Sequence, residues 1–218
     1  MDSGLLLKYK DVIKFLGKTS GYGSNITLKN AISIADAKLE LLHNYNQQPS
    51  WLFERWAQHD NKSTLEILLH LKKIRRLAQF TDPNLARLRG GYLLGDWVKR
   101  LERLKNGTET RKMVMYSAHD GTLLALMGTM GILDGEMVPY ASALIMEVSE
   151  DTDGQLYIEM YYRKTDYGSL VKQKSEFKLK RFKFECGEKC HIDDFIDEMK
   201  PKAVFSKKDM YQWIVADT

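Results

Sequence analysis

The 218 residues carry 33 Lys and Arg against 29 Asp and Glu, and 44% of the chain is apolar, with 8 Phe, 4 Trp and 11 Tyr. This is the composition of a folded globular protein, which excludes disordered and fibrous classes, and the length suits one large domain or a domain with a sizeable insertion. The excess of four basic residues is spread among acidic ones, so the charge describes a solvated surface and no nucleic-acid partner is expected.

Residues 5–16 place Leu6, Tyr9, Val12, Ile13 and Leu16 at helical spacing, with Gly17 as the expected stop. No run approaches the roughly 18 apolar residues of a membrane span. The start, Met1 to Lys8, has an acidic residue and a three-residue apolar run, which does not read as a signal peptide. A Gly, Ser and Asn loop at 17–25 precedes a second helix at 28–44, with Ile32, Ala35, Leu39 and Leu42 on one stripe, and Gln47 to Ser50 breaks it. Ser63 with Glu66 three residues on is a capping-box signature and opens a helix to about Ala78. Asp82-Pro83-Asn84 marks another start, and from Arg89-Gly90-Gly91 onward Leu94, Trp97, Val98, Leu101 and Leu104 form a further amphipathic helix ending near Asn106-Gly107. The first half of the chain therefore reads as all helix.

The texture changes at Met113. Met113 to Ser117 is a short apolar run bounded by charge before and His119-Asp120-Gly121 after, the pattern of a strand buried in a sheet interior, and 121–130 reads as a helix beginning at its end. Ala143 to Val148 and Leu156 to Tyr162 look like two strands of an antiparallel hairpin joined through Asp151-Thr152-Asp153-Gly154. Lys172 to Lys183 alternates basic residues with Phe177, Leu179 and Phe182, an amphipathic β segment with a charged outer face.

Strand, His119-Asp120, helix is an arrangement that can act on an anion. The crevice beyond a strand's carboxyl end binds ligands, and the following helix offers unpaired N–H groups and its positive dipole end. There a His can hold a phosphate oxygen and the adjacent carboxyl can protonate a leaving group. The alternative is that His119 and Asp120 simply cap the helix. His59-Asp60 is a second such pair, but in a polar loop with no strand before it, and reads as surface. His43 and His70 lie in helical stripes as solvated or core residues. His191 with Cys186 and Cys190 falls short of zinc spacing, so a disulfide or two free thiols is favoured and no metal or other cofactor is expected. Asn-x-Ser/Thr acceptors stand at Asn25, Asn61 and Asn106.

The run Tyr116 to Thr122, then Val138-Pro139-Tyr140-Ala141-Ser142, then Glu159-Met160-Tyr161-Tyr162-Arg163, resembles the histidine acid phosphatases of lysosomal and prostatic type in order and spacing. Upstream, Tyr9-Lys10-Asp11, Leu16-Gly17-Lys18, Ser20-Gly21, Pro49-Ser50-Trp51 and Arg87 to Leu94 extend the likeness over nearly the whole chain. The resemblance implies an α/β fold interrupted by a helical insertion. Residues 1–110 would be the helical region and 111–218 the C-terminal part of the α/β domain. It implies a phosphate monoester substrate, attack by a His in an Arg-His-Gly motif, His119 holding phosphoryl oxygens and Asp120 protonating the leaving alcohol. It also implies a disulfide between Cys186 and Cys190, a lysosomal or secreted full-length parent, and a homodimer among the allowed assemblies. A phytase or phosphohistidine mutase relative fits the motifs less well.

None of the five histidines lies in an Arg-His-Gly triplet. Met1 would fall inside the helical insertion, so the expectation is a chain that carries only the acid half of the chemistry. The alternative is a catalytically inactive phosphatase-like fragment or isoform with a binding or structural role.

Overall fold

A computed structural model describes residues 2–43, 47–165 and 177–210, with the backbone alone for 2, 3, 39–43 and 165. The chain divides into two compact units, one ending at Arg76 and one starting at Leu77.

In the first unit α1 (Asp2–Lys8) and α2 (Lys10–Ser20) are followed by α3 (Leu28–His43), the two-residue strands β1 (Arg55–Trp56) and β2 (Lys62–Ser63), and α4 (Thr64–Leu77). The expected helical stripe holds: Tyr9, Val12, Ile13 and Leu16 are buried with Leu28, Ala31, Leu52, Ile67, Leu68 and Leu71. Gly17 does not stop α2, in contrast to the sequence reading. A Cβ there would lie 2.2 Å from the Gly23 carbonyl oxygen, so this glycine serves close packing. The helix ends at Gly21, whose φ of 83° is the left-handed cap that favours glycine. The capping box at α4 forms in both directions: the Ser63 amide donates to Glu66 Oε2 (2.7 Å) and the Glu66 amide donates to Ser63 Oγ (3.2 Å). The antiparallel β1–β2 pair corrects the all-helix reading of the first half.

The second unit begins with α5 (Pro83–Lys105), which runs unbroken through Gly90 and Gly91. Asp82 is its true start, with Oδ1 accepting the amides of Asn84 and Leu85. The helical stretch of residues 1–110 thus contributes α5 to this unit. It packs against α6 (Asp120–Met130) at very short range, because a Cβ on Gly90 would stand 2.3 Å from the Ala125 carbonyl oxygen. Thr129 Oγ1 donates across the same contact to the Ala86 carbonyl oxygen (2.8 Å).

The hairpin forms as read. β3 (Ala143–Glu150) pairs antiparallel with β4 (Leu156–Thr165), Ala143 opposite Arg163, and Asp151 Oδ1 accepts the Asp153 and Gln155 amides in the turn. β5 (Phe177–Arg181) and β6 (Cys190–His191) both add to β4. α7 (Ile192–Met199) covers the core with Phe195, Ile196 and Met199, beside Leu94, Val98, Leu101, Leu124, Met127, Met160 and Tyr162. β5 is not amphipathic as expected: Phe177 and Leu179 are exposed, and burial begins only at Phe182 and Phe184, while 172–176 lie outside the described residues. Among the described residues no helix is long and apolar enough to cross a membrane.

Candidate functional site

α6 positions the His-Asp pair. Its first turn starts at Asp120, and His119 is the N-cap residue in extended conformation (φ −117°, ψ 166°), whose carbonyl oxygen accepts the Thr122 amide at 3.0 Å. The His119 side chain makes no capping hydrogen bond. Asp120 stands one position past the N-cap, and its Oδ1 accepts the amide of its own neighbour Gly121 at 2.7 Å. The helix itself is immobilised from behind by buried Leu124 to Met127 and Met130 against α5. His119 is exposed and Asp120 half-buried.

The approach to this pair differs from the sequence reading. Met113 to Ser117 is not an interior strand: it has no regular secondary structure, no strand among the described residues pairs with it, and Met113 and Met115 are 78% and 79% exposed. A strand buried on both faces needs neighbours on its edges and layers above and below. The residues present supply α5 on one side only.

What holds the approach is a polar clamp that sequence reasoning missed. Tyr116 donates its hydroxyl to Asp96, and Arg100 Nε donates to Asp96 Oδ2 (2.9 Å) and to the Tyr116 hydroxyl oxygen (2.7 Å). Glu109 accepts from Arg100 (3.4 Å) and Arg103 (3.2 Å). Burial raises the Asp96 carboxyl, but the Tyr116 and Arg100 hydrogen bonds outweigh it and hold its pKa below the usual range. Burial and the bond to Asp96 push the Tyr116 phenol up. The one signal in the sequence was Asp96 four residues before Arg100 on a helix.

The downstream motifs meet in the hairpin. Arg163 donates from its guanidinium to the Ala141 carbonyl oxygen (3.1 Å), tying Val138–Ser142 to the end of β4, and its guanidinium lies 3.5 Å from the Phe177 ring centroid. Tyr162 is buried, which raises its phenol.

His59, His70 and His191 pack or bond within the fold. His59 is no surface residue: its side chain is 9% exposed between Tyr9 and Trp56, and Nε2 lies 2.8 and 3.0 Å from the two Asp11 oxygens. Asp60 is exposed. His70 packs edge-on to Tyr9, and burial lowers its pKa. His191 accepts the Asp193 amide at Nδ1, and its Nε2 meets Gln155 Oε1 at 3.1 Å. His43 lies in α3 with its side chain outside the described residues. Cys186 and Cys190 are disulfide-bonded, Cα atoms 5.2 Å apart, and among the described residues no cluster of His, Cys, Asp and Glu could hold a metal.

The family described as histidine phosphatase superfamily (branch 2) matches residues 11–163. Prostatic acid phosphatase of Bos taurus is 31% identical over 159 residues, covering 72% of this chain and 39% of the relative. Lysosomal acid phosphatase of Rattus norvegicus is 29% identical over 180 residues, covering 81% and 39%. Among solved structures, the apo phytase of Hafnia alvei superimposes with a TM-score of 0.57 at 16% identity, over 82% of this chain and 48% of the phytase, a likeness of fold alone. The chain spans about two fifths of the length of these curated relatives. The match over 11–163, together with relatives that are prostatic and lysosomal acid phosphatases, makes this chain a member of the histidine acid phosphatase family with its α/β fold and helical insertion.

Proposed function

We propose that this chain supplies the acid half of a phosphomonoesterase. Asp120 delivers the proton to the leaving alcohol of a phosphate monoester, and His119 hydrogen-bonds the phosphoryl oxygens at the N-terminal end of α6. The nucleophilic imidazole of a phosphohistidine intermediate comes from outside these 218 residues. The observation that carries the reading is at the helix start: His119 holds the N-cap place yet its side chain caps nothing, which leaves the imidazole to other work.

In the chemical step the nucleophile forms an N–P bond as the ester P–O bond breaks, and the proton of Asp120 goes to the departing oxygen. Water then attacks phosphorus as the N–P bond breaks, releasing the imidazole and inorganic phosphate, with Asp120, now a carboxylate, taking the water's proton. A positioned acid contributes about 10²–10⁴-fold. Hydrolysis of phosphate monoesters needs up to about 10²¹-fold. The chain by itself is therefore inactive. The parent is lysosomal or secreted, consistent with the disulfide and with the exposed acceptors Asn25, Asn61 and Asn106 as glycan sites.

A purely binding, non-catalytic role is the second reading, favoured by the exposure of the whole Arg111–His119 stretch. Residues 1–218 should show no turnover of p-nitrophenyl phosphate at acidic pH above buffer. Inorganic phosphate should shift the His119 ring resonances and leave those of the partly buried His70 in place. Turnover lost in His119→Ala and Asp120→Asn would refute the missing nucleophile. Phosphate that leaves the His119 resonances unmoved would refute the acid-half assignment.

A further inference from the structure

α4, α5 and α7 each start on a side chain that accepts an amide of the first turn: Ser63, Asp82 and His191. α6 starts at His119 without such a bond. A helix start that lacks its cap frays, because the leading amides have no partner inside the helix. Yet this is the turn that carries His119 and Asp120, and groups that meet a reacting phosphate need a fixed place. The hold has to come from ahead of the helix.

Tyr116 is placed to supply it. It lies three residues before His119, and three residues of extended chain reach at most about 11 Å, so fixing the one confines the other. The Tyr116 hydroxyl donates to Asp96 and accepts from Arg100 Nε (2.7 Å), which also donates to Asp96 Oδ2 (2.9 Å). Arg100 is pinned in turn from its other side, where Nη1 donates to Glu109 (3.4 Å). Trp97 is buried beside the phenol, the two ring centroids 6.4 Å apart. Asp96, Trp97 and Arg100 all belong to α5, and α5 also braces α6 from behind at Gly90. One helix thus fixes both the body of α6 and the chain that enters it.

The clamp suits an acidic setting. Burial raises the Asp96 carboxyl, but the bonds from Tyr116 and Arg100 outweigh it and hold the group below the ordinary range. Burial and the bond to Asp96 push the Tyr116 phenol up. Acceptor and donor therefore keep their roles as the pH falls toward the ordinary carboxylate range.

We propose that Tyr116 is a positioning residue for the His119–Asp120 pair. Clamped by Asp96 and Arg100, it does from outside α6 what a capping side chain does at the other helix starts, and it presents the His119 imidazole to phosphate at a settled place. The proposal rests on the acid-half reading above. Leaving one residue's backbone unfixed is worth about tenfold in an equilibrium constant, which sets the size of the expected effect.

The test uses residues 1–218 with inorganic phosphate as the probe, read at the His119 ring resonances, together with amide exchange along α6. Tyr116→Phe keeps the ring beside Trp97 and removes the hydroxyl. It should weaken phosphate at His119 about tenfold and speed exchange at Gly121 to Leu123, with exchange at Leu126 to Met130 as in the parent. Asp96→Ala should do the same, and the double variant should be no worse than either single one, since both remove one clamp. Effects that add in the double variant overturn the proposal. So does a Tyr116→Phe variant with a lower urea midpoint but unchanged phosphate affinity and first-turn exchange, the outcome of a merely structural role. If phosphate leaves the parent's His119 unmoved, the acid-half reading falls on its own, and exchange decides the clamp: faster at Gly121 to Leu123 in Tyr116→Phe upholds it, unchanged overturns it.

Discussion

Gly90→Ala sets two physical effects against each other with opposite signs. Gly90 is inside the 23-residue helix α5, where alanine is favoured over glycine by about 1 kcal/mol, so propensity alone says the variant is more stable. The structure says otherwise. The added Cβ would lie 2.3 Å from the Ala125 carbonyl oxygen, 2.5 Å from its carbon and 2.6 Å from Thr129 Oγ1. Two of these are backbone atoms of α6, which cannot turn aside as a side-chain end would. Relief requires moving α6 off α5 by about 1 Å, an overpacking cost of about 1–3 kcal/mol. That shift also stretches the buried bond from Thr129 to the Ala86 carbonyl oxygen, worth about 1 kcal/mol. Net of the propensity gain, we expect a loss of about 2 kcal/mol and a fall in Tm of about 4–8 °C. Gly4→Ala in α1 is the control, because nothing lies within 4 Å of its Cβ and propensity should act unopposed. The measurements are urea denaturation and amide exchange in α5 and α6. Gly90→Ala as stable as the parent would refute the close-contact account of α5 against α6.

Ser63→Ala removes one arm of the capping box at α4 and should cost about 1 kcal/mol in chemical denaturation, with faster amide exchange confined to the first turn. The Asp134–Lys164 pair gives a pH test. Burial raises the Asp134 carboxyl, but the Lys164 hydrogen bond (2.5 Å) and the Glu136 amide outweigh it, so the folded pKa is below 3.8. A depressed carboxylate contributes stability that is fully present above its unfolded pKa and is lost as pH falls through the folded value. Asp134→Asn should therefore destabilise at pH 6–7, and the gap to the parent should narrow as the pH falls below the ordinary carboxylate range, as read by thermal melts across that range.

Features of the sequence that depend on near neighbours were legible, and those that depend on distant ones were not. The α4 start, the hairpin turn at Asp151 and the α6 start at Asp120 each follow from residues within four positions of one another. Gly17 was read as a helix stop, and Arg89-Gly90-Gly91 as the point from which a further helix runs. The purpose of Gly17 and Gly90 is contact with the Gly23 and Ala125 carbonyl groups, which no local pattern carries. The same applies to His59, whose loop is polar but whose imidazole is drawn inward by Asp11, 48 positions earlier in the chain.

The apolar run Met113–Ser117 shows where the reasoning about a strand has its boundary. Composition specifies what a segment needs around it, and this one, with Met113, Val114, Met115 and Tyr116, needs cover on both faces. Whether cover is present depends on sequence-distant strands, and among the described residues β3, β4, β5 and β6 form their sheet without it. The segment is placed instead by the polar side chains that reach it, Tyr116 to Asp96 and Arg100. An intended-interior sequence held in an exposed position is a mismatch between local demand and available neighbours, and such mismatches concentrate at sites of function or association. His119 and Asp120 inherit that position directly. Their backbone is fixed by α6, and the His119 imidazole stands exposed at the helix start with no cap to make, so phosphate that reaches it should shift its ring resonances and leave α6 undisturbed.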